Sequence, residues 1–411
     1  MTPPPPCRGC GAPLGRTLVD LGLSPLANSY VPPERVRQGE VFHPLHALVC
    51  DHCHLVQLEA FEAPAAIFTE YAYFSSVSST WLAHAEAYAA AVTRRFGLGP
   101  ASRVVEVASN DGYLLQYFAR AGIPVLGVEP AANVAAVARQ RGVPTEVAFF
   151  GQATAARLLA EGGPADFMVA NNVLAHVPDL HDFLAGFATL LAPEGVVTFE
   201  FPHLLRLLAE TQFDTIYHEH FSYLSLGVVA GLLQGHGLRV FDVEELPTHG
   251  GSLRVFACRE DAAYEGMAAA GRVIEAERAA GLFEAAGYSG FAERVVRIKC
   301  DALEFLIGAR RAGRVVVGYG AAAKGNTFLN YCGIGPELVR AVADRSPAKQ
   351  GSLLPGSRIP VVSPEALLAM RPDVVLILPW NLTAEVMAEL AAVRAWGGRF
   401  ATAIPEWRML G

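Results

Sequence analysis

The hydrophobic pattern of the first half of the chain alternates between short apolar runs and stretches with helical spacing. From about residue 80 to 96, apolar residues recur every three or four positions, which predicts a helix. The strands and helices that follow alternate, and this order indicates a parallel, doubly wound α/β sheet. We predict strands at 103–107, 124–128, 166–170 and 195–200, and helices at 113–120, 131–140 and 180–191.

The same alternation returns near the C-terminus and predicts a second Rossmann-like unit. A helix-rich stretch from about 262 to 311 bridges the two units. The strands of the second unit are expected within 314–320, 339–344, 358–362 and 373–378. The first 66 residues are instead rich in Pro, Cys and His. We therefore divide the chain into a small loop-rich module and two α/β parts, with bounds 1–66, 67–258 and 259–411.

Composition narrows the classes of function. The net charge is −8 with no block of basic residues, which argues against a protein that binds the nucleic-acid backbone. No apolar run approaches the ~18 residues of a membrane span, and the start of the chain lacks the features of a signal peptide. We therefore expect a cytoplasmic protein without nucleic-acid or membrane partners, in which thiols stay reduced.

Four of the seven cysteines form two pairs with the same spacing. Each Cys-x-x-Cys places two sulfurs at the tip of one turn, and two such turns complete a tetrahedral zinc site. The predicted ligands are Cys7, Cys10, Cys50 and Cys53. A shell closed by four thiolates has no open position for substrate, so we expect a structural role. Metal removal should unfold the first 66 residues more than it alters the chemical step.

A turn with small and polar residues follows the first predicted strand of the first α/β part. It runs from Glu106 to Gly112, and a second acid, Glu129, ends the next strand, where a carboxylate can bind ribose hydroxyls. A dinucleotide would favour a glycine-rich turn for its pyrophosphate, so S-adenosylmethionine is the better candidate than NAD. The predicted cofactor-binding residues are Glu106, Ser109, Asn110, Gly112, Glu129, Pro130, Phe149, Phe150 and Asn171, with the two phenylalanines flanking adenine.

Two polar clusters are candidates for the chemistry. The first, around Asn172 and His176, follows a predicted strand, at the edge where open sheets place ligands. If residues 172–176 form a helical turn, these two side chains share a face. The second is the run Tyr217-His218-Glu219-His220. A helix would align Tyr217 with His220, whereas a strand would align Tyr217 with Glu219, and spacing alone leaves both open.

The second α/β part carries the pattern Gly318-x-Gly320-x-x-Ala323, with Asp344 further on. This pattern fits a dinucleotide fingerprint, although a single match is weak. Lys324 and Asn326, at the start of the following helix, suit a diphosphate through charge and amide donors. The unit could equally serve only as a wall. His249 has two equal interpretations, a cleft residue or a buried, satisfied histidine.

The order of these motifs resembles that of the deoxysugar C-methyltransferases, which act on nucleotide-linked 4-keto sugars in antibiotic and surface-glycan pathways. The resemblance covers nearly the whole chain. It is carried by the two Cys-x-x-Cys pairs, Glu-Tyr-Ala-Tyr-Phe-Ser-Ser at 70–76, the Asn-Asp-Gly turn, Asn-Asn-Val-x-x-His, Tyr-His-Glu-His and Gly-Tyr-Gly-Ala-x-x-Lys-Gly-Asn-Thr. It implies a zinc module, a class I (Rossmann-like) S-adenosylmethionine domain and a second Rossmann-like domain.

The resemblance also implies roles for individual residues. His220 is the expected base, with Tyr217 as its alternate or partner. Around the sugar it implies Asn172, His176, Glu219 and Tyr71, with His249, Lys324 and Asn326 as further substrate-binding residues. The expected reaction is methyl transfer to a carbon, C3 by analogy, beside the ketone of a nucleotide-linked sugar, with thymidine diphosphate as the expected nucleotide.

Three other functions compete with this hypothesis. An O-methyltransferase is the closest competitor, and an NAD-dependent oxidoreductase would use the turn from Gly318 to Ala323. A non-catalytic zinc-ribbon adaptor would not need the Tyr-His-Glu-His run. The sequence leaves the oligomeric state open, and a monomer is compatible with it.

Overall fold

A seven-stranded sheet forms the centre of the computed structural model, which describes residues 4–63 and 74–411. Five of its strands are parallel and run in the order β8-β7-β4-β5-β6, and two antiparallel strands, β11 and β10, extend the β8 edge. The strands are β4 (Val104–Val107), β5 (Val125–Val128), β6 (Thr145–Glu146), β7 (Ala165–Asn171), β8 (Leu191–Pro202), β10 (Leu238–Leu246) and β11 (Ser252–Arg259).

The N-terminal part forms its own antiparallel sheet, which takes one strand from a distant part of the chain. Its order is β1-β2-β3-β9, with β1 (Arg16–Ser24), β2 (His43–Val49), β3 (Val56–Gln57) and β9 (Ser222–Tyr223). Val56 pairs with Tyr223 and Gln57 with Ser222. The short strand after the Tyr-His-Glu-His run is therefore held by the cysteine module.

The C-terminal part is a six-stranded sheet in which β17 alone is antiparallel to its neighbour. In spatial order its strands are β14 (Val361–Val362), β13 (Val342–Ala343), β12 (Val316–Tyr319), β15 (Val374–Ile377), β16 (Arg399–Thr402) and β17 (Arg408–Leu410). Parallel strands joined by helices confirm the prediction of a second Rossmann-like unit.

Helices cover the faces of the two larger sheets. Within the described residues, none of them is long and apolar enough to cross a membrane. They are α1 (Ser79–Phe96), α2 (Leu115–Arg120), α3 (Ala132–Gln140), α4 (Gln152–Gly162), α5 (Leu180–Leu190), α6 (Leu204–Ala209), α7 (Leu226–Gln234), α8 (Ala268–Ala279), α9 (Phe291–Arg311), α10 (Ala323–Cys332), α11 (Pro364–Ala369) and α12 (Thr383–Glu389).

The cores follow the apolar runs seen in the sequence. Phe167, Phe199 and Phe256 of the central sheet are 0–1% exposed, and strands buried on both faces read as continuous apolar runs. A separate apolar cluster packs β1 and β2 against α9, α10 and the C-terminal sheet. The cysteine module is thus packed onto the second Rossmann-like unit.

The hydrophobic pattern predicted most of the parallel strands but missed the parallel strands β6 and β16 and the antiparallel strands. β10 and β11 lie in a stretch for which no element was predicted. β10 pairs with β11, and β11 pairs with β8, both in antiparallel orientation. β8 also begins earlier and ends later than the predicted 195–200. Antiparallel edge strands lack the strand-helix alternation on which the prediction rested.

Candidate active site at the carboxyl edge of the central sheet

The Tyr-His-Glu-His run forms a tight turn, and this decides the question left open by spacing. The turn is closed by the backbone N–H of His220, which donates to the carbonyl of Tyr217 at 2.9 Å. The same turn brings the two side chains together, with Tyr217 Oη and His220 Nε2 at 2.9 Å. Tyr217 therefore aligns with His220, although the segment is neither helix nor strand.

The contacts of His220 define its tautomer. Its Nδ1 lies 2.9 Å from the carbonyl oxygen of Thr215, which can only accept, so Nδ1 carries the proton. In the neutral ring Nε2 is then the basic nitrogen and accepts from the Tyr217 hydroxyl. Burial, and next the nearby His176 ring, hold the pKa of His220 well below its usual range. The ring is thus neutral at neutral pH and able to take a proton.

His176 belongs to the same cluster. Its ring centre lies 4.7 Å from that of His220, and its Nδ1 lies 2.7 Å from the carbonyl oxygen of Glu219. Burial lowers the pKa of His176 to about 4, so this ring is neutral as well. Only residues 174–176 form a helical turn, whereas Asn172 lies outside it with φ 52°. The predicted shared helical face of Asn172 and His176 therefore does not form.

Glu219 contacts Asn28, a residue that the sequence did not indicate. Asn28 Nδ2 lies 2.9 and 2.7 Å from the two carboxylate oxygens of Glu219. Burial raises the pKa of Glu219 to about 7, although the amide donor partly opposes this. Asn28 comes from the cysteine module, about 190 positions away, and no local pattern marks it.

The second Rossmann-like unit lies near the cluster of His176, Tyr217 and His220 at the start of α10. Lys324 Nζ lies 2.9 Å from Asn381 Oδ1 and 4.6 Å from the ring centre of Trp380. Trp380 Nε1 donates to Asp214 at 2.8 Å, in the turn just before Thr215. Burial raises the pKa of Asp214 to about 6, and the charge of Lys324 partly opposes this. Asp214 and Trp380 are two further residues that the sequence analysis missed.

The remaining residues predicted to bind the substrate are Asn326, His249 and Tyr71. Asn326 is buried, and its amide donates to the carbonyl of Ala27 at 2.6 Å while its Oδ1 has no partner among the described residues. His249 is half-buried with φ 55°, in the left-handed region that non-glycine residues avoid. Burial, and next the charge of Lys324, lower the pKa of His249 to about 4. Tyr71 lies outside the described residues.

A cavity of about 510 Å³ adjoins this cluster. Its wall includes Trp380 and Asn381, the two residues that contact Lys324, together with Arg206 and the glycines at 250 and 251. Volumes of this size hold small ligands and cofactors.

The predicted cofactor residues lie on neighbouring strands of the central sheet. β4 carries Glu106 and pairs with both β5, which precedes Glu129, and β7, which ends at Asn171. The carboxyl ends of parallel strands lie at the same edge of a sheet, so these residues lie near one another at that edge. Burial raises the pKa of Glu106 well above its usual range. Glu129 accepts backbone N–H groups of Asn110 and Ala131, both at 2.9 Å.

The residues of the turn after β4 fit a close-bound ligand. Gly112 has φ +76°, and a Cβ there would lie 3.0 Å from Val143, so the backbone angle and packing against the protein's own core require glycine at this position. Ser109 Oγ, Glu106 Oε2 and Asn171 Oδ1 are buried without a partner among the described residues, as expected of atoms that a bound S-adenosylmethionine would satisfy. Pro130 is half-buried beside Glu129.

The two phenylalanines predicted to flank adenine lie in different surroundings. Phe149 is 47% exposed, so its ring is available to a ligand. Phe150 packs inward, with ring centres 4.8 Å from Phe187 and 5.7 Å from Phe183. Its role as an adenine contact stays a prediction.

The four predicted metal ligands converge. The sulfurs of Cys7, Cys10, Cys50 and Cys53 all lie within 4.8 Å of one another. Donors surround them, including Gln57 Nε2 at 3.0 Å from Cys7 Sγ and the backbone N–H groups of His52 and Cys53 at 3.4 Å from Cys50 Sγ. Such donors stabilise thiolates, so the residues fit a closed tetrahedral zinc site.

Comparison with known proteins identifies the family. Family models match residues 7–68 as "Putative zinc binding domain", 81–243 as "Methyltransferase domain" and 247–405 as "C-methyltransferase C-terminal domain". The chain is 39% identical over 404 residues to C-methyltransferase NovU of Streptomyces niveus, covering 98% of this chain and 96% of that protein. The chain belongs to the C-methyltransferase family. The zinc-binding module and class I methyltransferase fold predicted from the motifs are thereby confirmed.

Other similarities are partial. A ubiquinone biosynthesis O-methyltransferase of Burkholderia thailandensis is 25% identical over 162 residues, which cover 36% of this chain and 70% of that protein. The crystal structure of magnesium protoporphyrin IX methyltransferase from Synechocystis PCC 6803, with bound S-adenosylhomocysteine, overlaps 43% of this chain and 82% of that one at 16% identity and a TM-score of 0.35. Overlap at that level is too loose to identify a function.

Family membership separates the competing hypotheses. It supports transfer of a methyl group from S-adenosylmethionine to carbon, as predicted. The C-terminal unit matches a C-methyltransferase domain, so the oxidoreductase and adaptor hypotheses have no support from these similarities.

Proposed function

We propose that this C-methyltransferase acts on a nucleotide-linked 4-keto deoxysugar and methylates the carbon beside the ketone, C3 by resemblance. The observation that carries the proposal is the half-buried pair of Tyr217 and His220, in which Nε2 of His220 is the basic nitrogen. Carbon methylation next to a ketone begins with loss of a proton, which an O-methyltransferase does not require from carbon.

The base is proposed to be the His220–Tyr217 pair. The substrate C–H bond breaks, and its proton goes either to Nε2 of His220 directly or to the oxygen of Tyr217, whose own proton passes to Nε2. Positioned general bases contribute typically 10²–10⁴-fold in rate. Thr215 fixes the orientation of the ring throughout, because its carbonyl holds the Nδ1 proton.

The negative charge that appears on the ketone oxygen needs donors. Asn172 and Lys324 are the proposed source. Asn172 directly follows β7, and Lys324 lies at the start of α10, the helix whose Thr327 hydroxyl bonds to the carbonyl of Ile216 beside the turn. Each well-placed donor to such an oxyanion contributes typically ~3 kcal/mol. Neutral His176 has its proton on Nδ1 and donates it to the Glu219 carbonyl, so its Nε2 can only accept. We therefore propose that His176 accepts a hydrogen bond from a sugar hydroxyl and does not stabilise the oxyanion.

S-adenosylmethionine supplies an electrophilic methyl group to the carbon so activated. We propose that Glu106, Ser109, Asn110, Gly112, Glu129, Pro130, Phe149, Phe150 and Asn171 bind it. Holding two reactants in contact geometry can contribute roughly 7–11 kcal/mol. The nucleotide diphosphate, proposed to be thymidine diphosphate, would occupy the cavity beside Trp380, near Lys324. Zinc on the four cysteines would take no part in the chemical steps.

Solvent exchange tests the proposal. A thymidine diphosphate-linked 4-keto-6-deoxyhexose is incubated with the enzyme in D₂O without methyl donor, and exchange is followed by NMR. We expect deuterium at C3 with the wild-type enzyme and none with His220→Asn. With S-adenosylmethionine the product should carry a new carbon-bound methyl at the same position.

An oxygen-bound methyl without exchange would instead identify an O-methyltransferase. A carbon-bound methyl on a substrate of another class would support C-methylation but would contradict the proposed sugar substrate.

A further inference from the structure

Trp380 lies between the wall of the proposed nucleotide cavity and the turn just before Thr215. Its side chain lines the cavity, and its Nε1 donates to the carboxylate of Asp214 at 2.8 Å. Asp214 is only 1% exposed. The indole N–H therefore bonds to a carboxylate that water does not reach, where a hydrogen bond to a charged group is stronger than at the surface.

The Trp380 ring is held from two further directions. Lys324 Nζ lies 4.6 Å from the ring centre. On another side the backbone of Gly250 comes so close that a Cβ at this position, where φ is +90°, would clash with the ring. Gln212 Nε2 donates to the carbonyl of Gly250 at 2.8 Å. A shift of the ring would therefore also disturb the loop at Gly250.

Asp214 is one residue away from the group that orients the proposed base. The short helical turn Phe213–Thr215 contains Asp214 and ends at Thr215. Its backbone is tightly closed, because the N–H and the hydroxyl of Thr215 donate to the carbonyl of Gln212 at 3.1 and 2.7 Å. The carbonyl of Thr215 in turn accepts the Nδ1 proton of His220 at 2.9 Å. A displacement of Asp214 would thus be passed on to the ring of His220.

We propose that Trp380 and Asp214 are positioning residues for the base. The indole N–H holds the carboxylate of Asp214, and the short turn passes this constraint to the carbonyl that orients His220. This rests on the proposed function, in which His220 takes the proton from the substrate carbon. Because Trp380 also lines the cavity, a nucleotide diphosphate bound there steadies the turn, so the correct substrate helps to hold the base in place.

Trp380→Phe tests this role, because it keeps a ring in the cavity wall and removes only the N–H donor. Deuterium exchange at C3 of the thymidine diphosphate-linked sugar, at saturating sugar and without methyl donor, should slow roughly 10- to 100-fold, since a misplacement of about 1 Å can cost about 10²-fold. The KM for the sugar should stay within about twofold, because the cavity wall is retained. Trp396→Phe is the matched control, since it removes an indole N–H that donates to the Pro372 carbonyl at 3.0 Å in the same unit.

A second readout needs no substrate. In protein with isotope-labelled histidine, the Nδ1 proton of His220 gives an NMR signal that is missing in His220→Asn. This proton should exchange with water faster in Trp380→Phe than in the wild type. Thymidine diphosphate alone should slow the exchange in the wild type and leave it unchanged in the variant.

The outcomes separate this role from the proposed function. An unchanged C3 exchange rate in Trp380→Phe, or a higher KM at an unchanged rate, would overturn the positioning role and leave the proposed function intact. If Trp380→Phe does not fold, Asp214→Asn decides, because it keeps the side-chain shape, removes the charge and should also slow exchange at saturating sugar. Wild-type enzyme without any exchange at C3 would instead contradict the proposed function, and the His220 signal would then decide whether the ring and the turn are linked.

Discussion

His220 takes its chemical character from its own turn. The Thr215 carbonyl fixes which nitrogen carries the proton, and the Tyr217 hydroxyl contacts the other. The sequence predicted the residues and their pairing as one of two possibilities. It could not predict the tautomer, because that depends on a carbonyl five positions away whose direction is set by the turn.

Replacing the base should separate chemistry from binding. We expect His220→Asn to lower kcat by roughly 10²–10⁴-fold with unchanged affinity for S-adenosylhomocysteine, since positioned bases contribute that much. Steady-state kinetics and calorimetry measure the two. His218→Asn is the control, because His218 lies in the same run but its Nε2 bonds to the Pro44 carbonyl at 3.1 Å and not to Tyr217.

A His220→Asn variant near the wild-type rate would remove His220 as base. Tyr217→Phe assigns the first proton acceptor. If it is as inactive as His220→Asn, the proton goes to the tyrosine oxygen.

Glu219 should make stability depend on pH. Its pKa is about 7 in the folded protein because of burial, against an ordinary value of 4.5, so the folded state holds a proton that the unfolded state releases. The resulting stability is fully present below pH 4.5 and is lost as pH rises through about 7. Glu219→Gln removes this dependence and should raise the free energy of unfolding by roughly 2–3 kcal/mol at pH 8.5, but not at pH 4.5.

Urea denaturation at the two pH values measures this difference. Equal effects of Glu219→Gln at both would show that the Glu219 carboxyl titrates normally in the fold.

Among the elements, helix α7 is anchored just after the turn that carries Tyr217 and His220. Glu277 of α8 is fully buried and accepts the backbone N–H groups of Leu226 and Gly227 at 2.5 and 2.9 Å. His203 Nε2 lies 2.7 Å from the same carboxylate. A carboxylate at a helix N-terminus satisfies donors that the helix leaves unpaired. α7 begins just after β9, so Glu277 fixes the exit of the turn.

Removing this carboxylate should be costly. Glu277→Ala leaves two helix N–H groups and a histidine buried without their partner, so we expect a loss of about 3–5 kcal/mol in the free energy of unfolding. Glu275→Ala, on the same helix, breaks only an exposed pair with Arg278 and should cost at most about 1 kcal/mol. Similar values for both variants would contradict the role of Glu277.

At the scale of the whole molecule, the cysteine module packs against the turn that carries Tyr217 and His220, the proposed base. Its strand β3 pairs with β9, and Leu58 N donates to the carbonyl of Phe221 at 3.0 Å. Asn28 contacts Glu219, and the Tyr30 hydroxyl donates to the carbonyl of Ala321 in the second Rossmann-like unit. The module therefore connects the turn that carries Tyr217 and His220 to the start of α10.

Loss of the metal should therefore also loosen the turn that carries Tyr217 and His220. With a chelator, or in Cys53→Ser, we expect faster hydrogen exchange first in β1 to β3 and then in residues 217–223, with a fall in kcat that added zinc restores in the chelated wild type. Cys300→Ser is the control, because Cys300 is exposed and far along the chain in α9. Unchanged exchange at 217–223 would show that the turn is stable without the module.

The sequence by itself determined the cysteine pairs, most of the parallel strands and the polar residues that follow them, because ligand spacing and apolar periodicity are local properties. Only the tertiary structure decided which loops meet. Asn28 meets Glu219 and Trp380 meets Asp214 across long separations and from irregular segments, where periodicity carries no information about direction. The physical reason is that side-chain convergence depends on packing between units, whereas the pattern of a chain records only which face of each element is buried.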